Sequence, residues 1–569
     1  MNERPIEQYA PPFQADSYTE DERQSIAPFF TNLDQPVYVP LIFSPELIGA
    51  LCSRTSRAAE DLRRIYLREF IKPFLNPTRE KNDTDETFVE KTRYGDALKK
   101  FIAFLEEHSI TDLFANPRAR AFYVKWLAEY GDDSIAQMAG CHLVYTGISQ
   151  IAIKHFEDQR IGLAPLEKST RYVDYSKKIN GSYVYYTDPS LEQLRLAEEY
   201  KAATDALFET YIALIPRLET WLARRFPEEK PSVIEKKAFD TLRGLLPTST
   251  LSQVAFFGNG QAFEYMVTRS RRHALGEIRW AAERAKQELN ILTPAFLRRL
   301  DYEAAATYQE YLAKKGERVA PFANARVGEP IALTTHSPEV RLVEYDPLGQ
   351  EKIITGILFA APENHVPWNA IMERVRRMPD EEKQSILAHY LKGRTARWQK
   401  VGRAFENCYV RFEIVMNIGA WRDLQRHRML TQERQDFTVR HGYDVPQELA
   451  DAKIEAPYRE ALDQLGDFHF TLAARDPTIA QYAVALAHRI RFMQWQNLRS
   501  FFWMNELRTI PEGHPDYRRI EQKKFQLIKK VYPLLADFIM ANLDSYDFAR
   551  RGQEEKIQAK TEELMHLAS

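Results

Sequence analysis

The sequence predicts an α+β protein in which helices predominate, arranged as two related halves in tandem. Three observations predict it. Glycine is scarce, at 22 of 569 residues; long segments carry apolar residues at helical spacing with Glu, Lys and Arg on the opposite face; and one order of sequence events occurs twice. The first helix spans 45–70, where Leu47, Ile48, Leu51, Leu62, Ile65 and Leu67 fall about one turn apart. Further helices are expected over 191–225, 271–289, 380–390 and 518–542. Strands are expected over 37–43, 183–187, 340–345 and 352–359, the last two flanking Asp346, Pro347, Leu348 and Gly349, a composition that suggests a hairpin.

Between residues 314 and 337 the apolar period weakens and Gly316, Pro321, Gly328 and Pro330 interrupt the chain, which marks a linker. On each side of it the same events follow one another. An alternating apolar run, a short helix, a charged turn and an Arg-bearing helix occupy 142–148, 150–156, 158–172 and 259–277, then again 409–416, 420–425, 426–438 and 497–508. An ancient duplication explains the parallel.

Composition excludes several classes. Hydrophobic residues make up 44% and charged residues 28%, which is globular rather than disordered. Lys and Arg total 78 against 80 Asp and Glu, so no global field selects nucleic acid or an acidic membrane, and any anion site must be local. The three cysteines, Cys52, Cys141 and Cys408, lie far apart and outside metal-ligand spacing, so no metal site is expected. Residues 1–21 lack the basic-then-apolar order of a secretory signal, and no apolar stretch reaches the roughly 18 residues that span a bilayer, so a cytoplasmic, reducing setting is expected.

Two motifs carry chemistry. Arg426-His427-Arg428 follows the amphipathic segment bearing Ile418, Trp421 and Leu424. Cations there complement the negative pole of a helix end, but paired N–H donors also match phosphate oxygens. The second is Glu167-Lys168-Ser169-Thr170-Arg171-Tyr172, in which a hydroxyl and a guanidinium two residues apart after a Pro-containing turn can converge on one phosphate. Taken alone it reads as a surface turn.

Together these motifs resemble the flavin-dependent thymidylate synthase family, whose fingerprint is Arg-His-Arg, seven residues, then Ser, in a pattern ending Glu-x-Ser-x-Arg-Tyr. Here the fingerprint is split. The second half holds Arg426-His427-Arg428 but has Asp436 and Thr438 at the Ser and Arg positions; the first half holds Glu167, Ser169, Arg171 and Tyr172 but reads Glu157-Asp158-Gln159-Arg160 where Arg-His-Arg belongs. Phe405-Glu406-Asn407 resembles the family's Phe-Glu-His, and Asn497-Leu498-Arg499 with Arg508 keeps its later spacing. In the first half Arg243, Asn259, Arg269 and Glu277-Ile278-Arg279 resemble the same region, with one residue deleted between Asn259 and Arg269, and Gln481 stands in the second half where Arg243 stands in the first.

The resemblance implies two tandem domains of that fold, at 36–315 and 338–548, forming a pseudodimer, with an extension at 1–35, a linker at 316–337 and a polar helix at 549–569. It implies FAD held by Glu406, Arg426, His427, Arg428, Asn497 and Arg499. Deoxyuridylate would be held by Glu167, Ser169, Thr170, Arg171, Arg243, Arg269, Arg426 and Arg508, with Arg508, Arg269 and Ser169 acting in catalysis. NADPH and methylene-tetrahydrofolate are the implied co-substrates, and a homodimer equivalent to a pseudotetramer the implied assembly. The family draws its site from different chains, so the Arg-His-Arg half is expected to face the Ser-x-Arg half. Two other readings stay open: a silent flavin- or nucleotide-binding homologue, favoured by Asp436, Thr438 and Gln481, and a flavin-dependent methyltransferase on another pyrimidine or RNA, favoured by Arg271, Arg272, Arg374, Arg376 and Arg377.

Overall fold

Ten strands organise the chain in a computed structural model that describes residues 4–80, 83–108, 110, 116–123, 125, 127, 133–159, 161–328 and 339–548. They are β1 (Val37–Tyr38), β2 (Gly140–Ser149), β3 (Leu163–Glu167), β4 (Lys178–Ile179), β5 (Ser182–Tyr183), β6 (Leu251–Asn259), β7 (Val340–Tyr345), β8 (Tyr409–Asn417), β9 (Thr431–Arg434) and β10 (Arg489–Asn497). One antiparallel sheet runs β1-β2-β6-β3 and a second runs β7-β8-β10-β9, while β4 and β5 form a separate hairpin. The two four-stranded sheets therefore share one topology, and helices outnumber strands, as an α+β duplication requires.

In both sheets the second and third strands feed directly into helices. Ser149 and Asn417 cap the helices Gln150–Glu157 and Ile418–Gln425; Asn259 and Asn497 cap Gly260–Ser270 and Leu498–Arg508. In each case the side-chain oxygen accepts an N–H of the first turn, at 2.8 to 3.1 Å. Aromatic packing then fixes each helix on its sheet: Tyr145 stacks on Phe156 at 5.2 Å, and Phe412 on Phe501 at 6.0 Å.

The chain divides into two compact units that do not follow the halves strictly. Unit 1 comprises Met1–Arg225, Ala238–Ile331 and Pro446–Ala485, and unit 2 comprises Phe226–Lys237, Ala332–Val445 and Leu486–Ser569. Within unit 1 the helix Ala197–Arg225 packs on Glu455–Ala473, the second half's helix in the corresponding place. Tyr200 and Phe468 meet there at 5.9 Å. Beyond them Pro247 bridges Ala485, and Thr248 donates its N–H to the Val484 carbonyl at 2.7 Å and its hydroxyl to the Gln481 carbonyl.

Several sequence expectations need correcting. Residues 352–359 are not a strand: Gly349–Phe359 is a helix that buries Ile353, Ile354 and Gly356, so no hairpin follows β7. The helix expected over 45–70 stops at Thr55 and resumes at Leu62, and the strand expected over 37–43 is only Val37–Tyr38. The segment 316–327 continues the helix Glu303–Val327 through Gly316 and Pro321, because its Ala, Glu and Arg residues favour helix, and it stops at Gly328 with φ 74°. Residues 329–337, Arg160 and the tail 549–569 lie outside the described residues.

Candidate functional site

The Arg-His-Arg segment leaves the helix Ile418–Gln425 at its C-terminal end, where Arg426 is the capping residue. Gln432 holds the turn by donating to the carbonyls of Leu424 at 3.1 Å and His427 at 3.2 Å. Arg508, the last residue of Leu498–Arg508, donates from Nε to His427 Nε2 at 2.8 Å. That contact fixes the tautomer: Nε2 accepts, so the proton sits on Nδ1. Burial, then the Arg508 and Lys524 charges, hold the His427 pKa well below its ordinary value, so the ring is neutral. Asp423 balances the cluster, with Oδ1 at 3.6 Å from Arg426 and 3.9 Å from Arg508. Cations at two helix ends thus meet, as the dipole favours.

At the other end of the same helix, about 13 Å along its axis, Arg499 donates to Glu406 at 2.6 Å, and Arg403 reaches the second oxygen at 3.2 Å. Burial raises the Glu406 carboxyl, but these donors outweigh it and hold it below the usual range. The Asn497 oxygen is committed to its helix cap.

In unit 1, Ser169 Oγ accepts the Arg171 N–H at 3.2 Å, closing the expected turn. Arg171 and Arg243 converge as the resemblance implies, but on a protein carboxylate. Arg171 forms a two-point fork on Asp240, Nε to Oδ1 at 2.9 Å and Nη2 to Oδ2 at 2.8 Å, and Arg243 Nε lies 3.6 Å from the same Oδ1. All three are buried or nearly so. Glu167 lies in a buried ion triad instead: Lys154 bonds it at 2.8 Å and Glu157 at 2.5 Å. Thr170 is buried, Lys168 donates to the carbonyls of Ala59 and Glu60, and Arg269 is half-buried with no partner among the described residues.

Strand register aligns the two halves residue by residue. Val254 pairs with Glu167, and its counterpart Phe492 pairs with Arg434, so Asp436 and Thr438 occupy the Ser169 and Arg171 places. The stretch from Gln150 to Ala164 is one residue longer than that from Ile418 to Thr431. The helices after β6 and β10 have equal length from their Asn caps, so no residue is deleted there. Ser270, not Arg269, takes the Arg508 place, and it meets His155 at 2.9 Å as Arg508 meets Asp423. Sequence reading missed Asp240, Lys154 and Asp423; only the i, i+3 spacing of Asp240 and Arg243 offered a signal.

Glu277 is fully buried in unit 1. It accepts from Ser149 N at 2.7 Å, Ser149 Oγ at 2.6 Å and Tyr482 Oη at 2.8 Å. Burial outweighs these donors and pushes its carboxyl from about 4.5 up to about 7. The folded chain then binds this proton more tightly than the unfolded chain. Its contribution is full below pH about 4.5 and is lost as pH rises through about 7, a fall on the order of 3 kcal/mol. Unfolding measured across that window should show the slope, and Glu277→Gln should flatten it.

The family model described as "Thymidylate synthase complementing protein" matches residues 82–295 and 341–534. A "UPF0159 protein" of Chlamydia muridarum (strain MoPn / Nigg) is 34% identical over 557 residues, covering 95% of this chain and 99% of that protein. A "UPF0159 protein" of Thermoplasma acidophilum is 29% identical, covering 78% of this chain and 93% of its own length. A "Flavin-dependent thymidylate synthase" of Mycobacterium sp. (strain JLS) is 28% identical over 190 residues, 32% of this chain and 70% of that protein.

Proposed function

Because the chain belongs to the thymidylate synthase complementing protein family, with both of its halves matched, we propose that it is a flavin-dependent enzyme that methylates deoxyuridylate to thymidylate. The observation that carries this reading is the 2.8 Å contact from Arg508 to His427, which joins two family-like elements 81 residues apart into one donor cluster. That cluster fits an anionic dinucleotide: Arg426 and Arg428 are cations, and neutral His427 offers an N–H from Nδ1. Arg426, His427, Arg428, Asn497 and Arg499, with Glu406, would hold FAD. FAD would carry the hydride from NADPH, with methylene-tetrahydrofolate giving the carbon.

The chain's own work is electrostatic and positional. Arg508 beside a uracil carbonyl would stabilise negative charge developing on the ring, and fixed orientation would supply much of the rest. Ser169 and Arg171, with Arg243, would hold the phosphate, sharing the guanidiniums with Asp240. A protein nucleophile is not required. Burial raises the Cys52 thiol to about 11 and the Cys141 and Cys408 thiols to about 12, which disfavours thiolates.

Asp240 also favours a second reading, a silent homologue, because it already engages Arg171 and lies against Arg243, the two arginines that a phosphate would need. Two measurements separate them. An enzyme of this kind purifies yellow with a flavin spectrum and releases tritium from deoxyuridylate labelled at the carbon that gains the methyl group. Flavin colour without tritium release supports the silent reading, and RNA methylation without deoxyuridylate binding would replace the substrate.

A further inference from the structure

Unit 1 contains a cleft of about 870 Å³, within the range of small-molecule sites. The register above makes it the first half's version of the flavin-contact region. Asn259 and Gln261 stand where Asn497 and Arg499 stand in the second half, and Gln159 stands where His427 does. One cation, Arg499, and the neutral His427 have each been exchanged for an amide. Among the described residues the charged groups lining the cleft are Asp133, Glu264 and Arg299, and Arg299 is held by both carboxylates, at 2.7 Å from Asp133 and 2.8 Å from Glu264. These described groups, two carboxylates and one guanidinium, sum to a net negative charge, which disfavours phosphate.

The rest of the described lining offers aromatic and amide chemistry. Tyr265, Tyr302 and Tyr308 line the cleft and are 52%, 38% and 46% exposed as residues. Gln159, only 8% exposed, donates from Nε2 to the Ala262 carbonyl at 3.0 Å, while its Oε1 is buried with no partner. A buried acceptor left unmet is costly, and the carboxamide carries a second Nε2 hydrogen besides the one given to Ala262. An acceptor beside a donor complements a ring edge that offers N–H beside C=O, the pairing by which side-chain amides read bases. Tyrosine faces take flat rings by stacking.

We propose that this cleft binds an uncharged planar heterocycle with an N–H beside a carbonyl, of the nucleoside class and without phosphate, its edge on Gln159 and its ring against the tyrosines. The inference does not rest on the reaction proposed above. Titration calorimetry of the full chain carrying Arg508→Ala, which disables the other site, tests it with uridine, N-methylated uridine lacking the ring N–H, and uridine monophosphate. Uridine should bind saturably, one per chain, and the other two roughly tenfold more weakly. Gln159→Leu should weaken uridine similarly, and Tyr302→Ala, a change at a half-exposed position, should also weaken it. No saturable uridine binding up to about 1 mM, equal binding of the three compounds, or indifference to both substitutions would overturn the proposal. None of those results alters flavin colour or tritium release in the unsubstituted protein, so the two readings fail separately.

Discussion

Arg171→Ala is expected to destabilise the protein by about 3 to 5 kcal/mol and to abolish binding of a phosphorylated pyrimidine. The loss is large because Arg171 is not a solvated cation. Its fork on Asp240 is buried, and the remaining cation of the trio, Arg243, approaches at 3.6 Å. Removing the fork leaves a carboxylate in a low-dielectric setting with its main donor gone. The double variant Arg171→Ala with Asp240→Asn should recover most of the stability, because the buried carboxylate charge goes together with the fork that met it, but none of the binding. Urea unfolding of the four species gives the coupling directly. A cost below about 1 kcal/mol for the single variant would mean that Asp240 is hydrated, and the buried-trio description would fall.

Arg508→Ala is expected to lower the methylation rate by a factor on the order of 10² to 10³. The same change removes the charge beside His427, so the imidazole pKa should climb toward its ordinary value, read by NMR titration of the ring. Arg508→Lys should rescue neither effect fully. An ammonium is a point charge, whereas the guanidinium gives Nε to His427 and turns its far end toward Asp423. A variant with full activity and an unmoved histidine would remove Arg508 from the site.

The sequence announced the duplication and the Arg-His-Arg cluster because each shows in short runs of residues. The helix over Asp380–Tyr390 and strand β7 were legible for the same reason. Where reading failed, long-range packing decided. Ile353, Ile354 and Thr355 favour a strand by propensity, yet burial makes them the inner face of a helix. Gly349 reads as a turn glycine, but it is where Cys408 and Tyr532 press on the helix start, leaving no room for a Cβ. Asp240 lies 69 residues from Arg171 in a charged helix, and nothing local distinguishes it from a solvated residue.

The bridge from Pro247 to Ala485 imposes an order on biosynthesis. A ribosome that has finished residue 331 has not yet supplied 446–485, the piece that covers the apolar side of Ala197–Arg225. At ordinary translation speeds that side waits roughly 10 to 30 s for its cover. Gene fragments that end after the first half would produce a polypeptide with this surface permanently bare, a substrate for chaperones and aggregation rather than a smaller working protein.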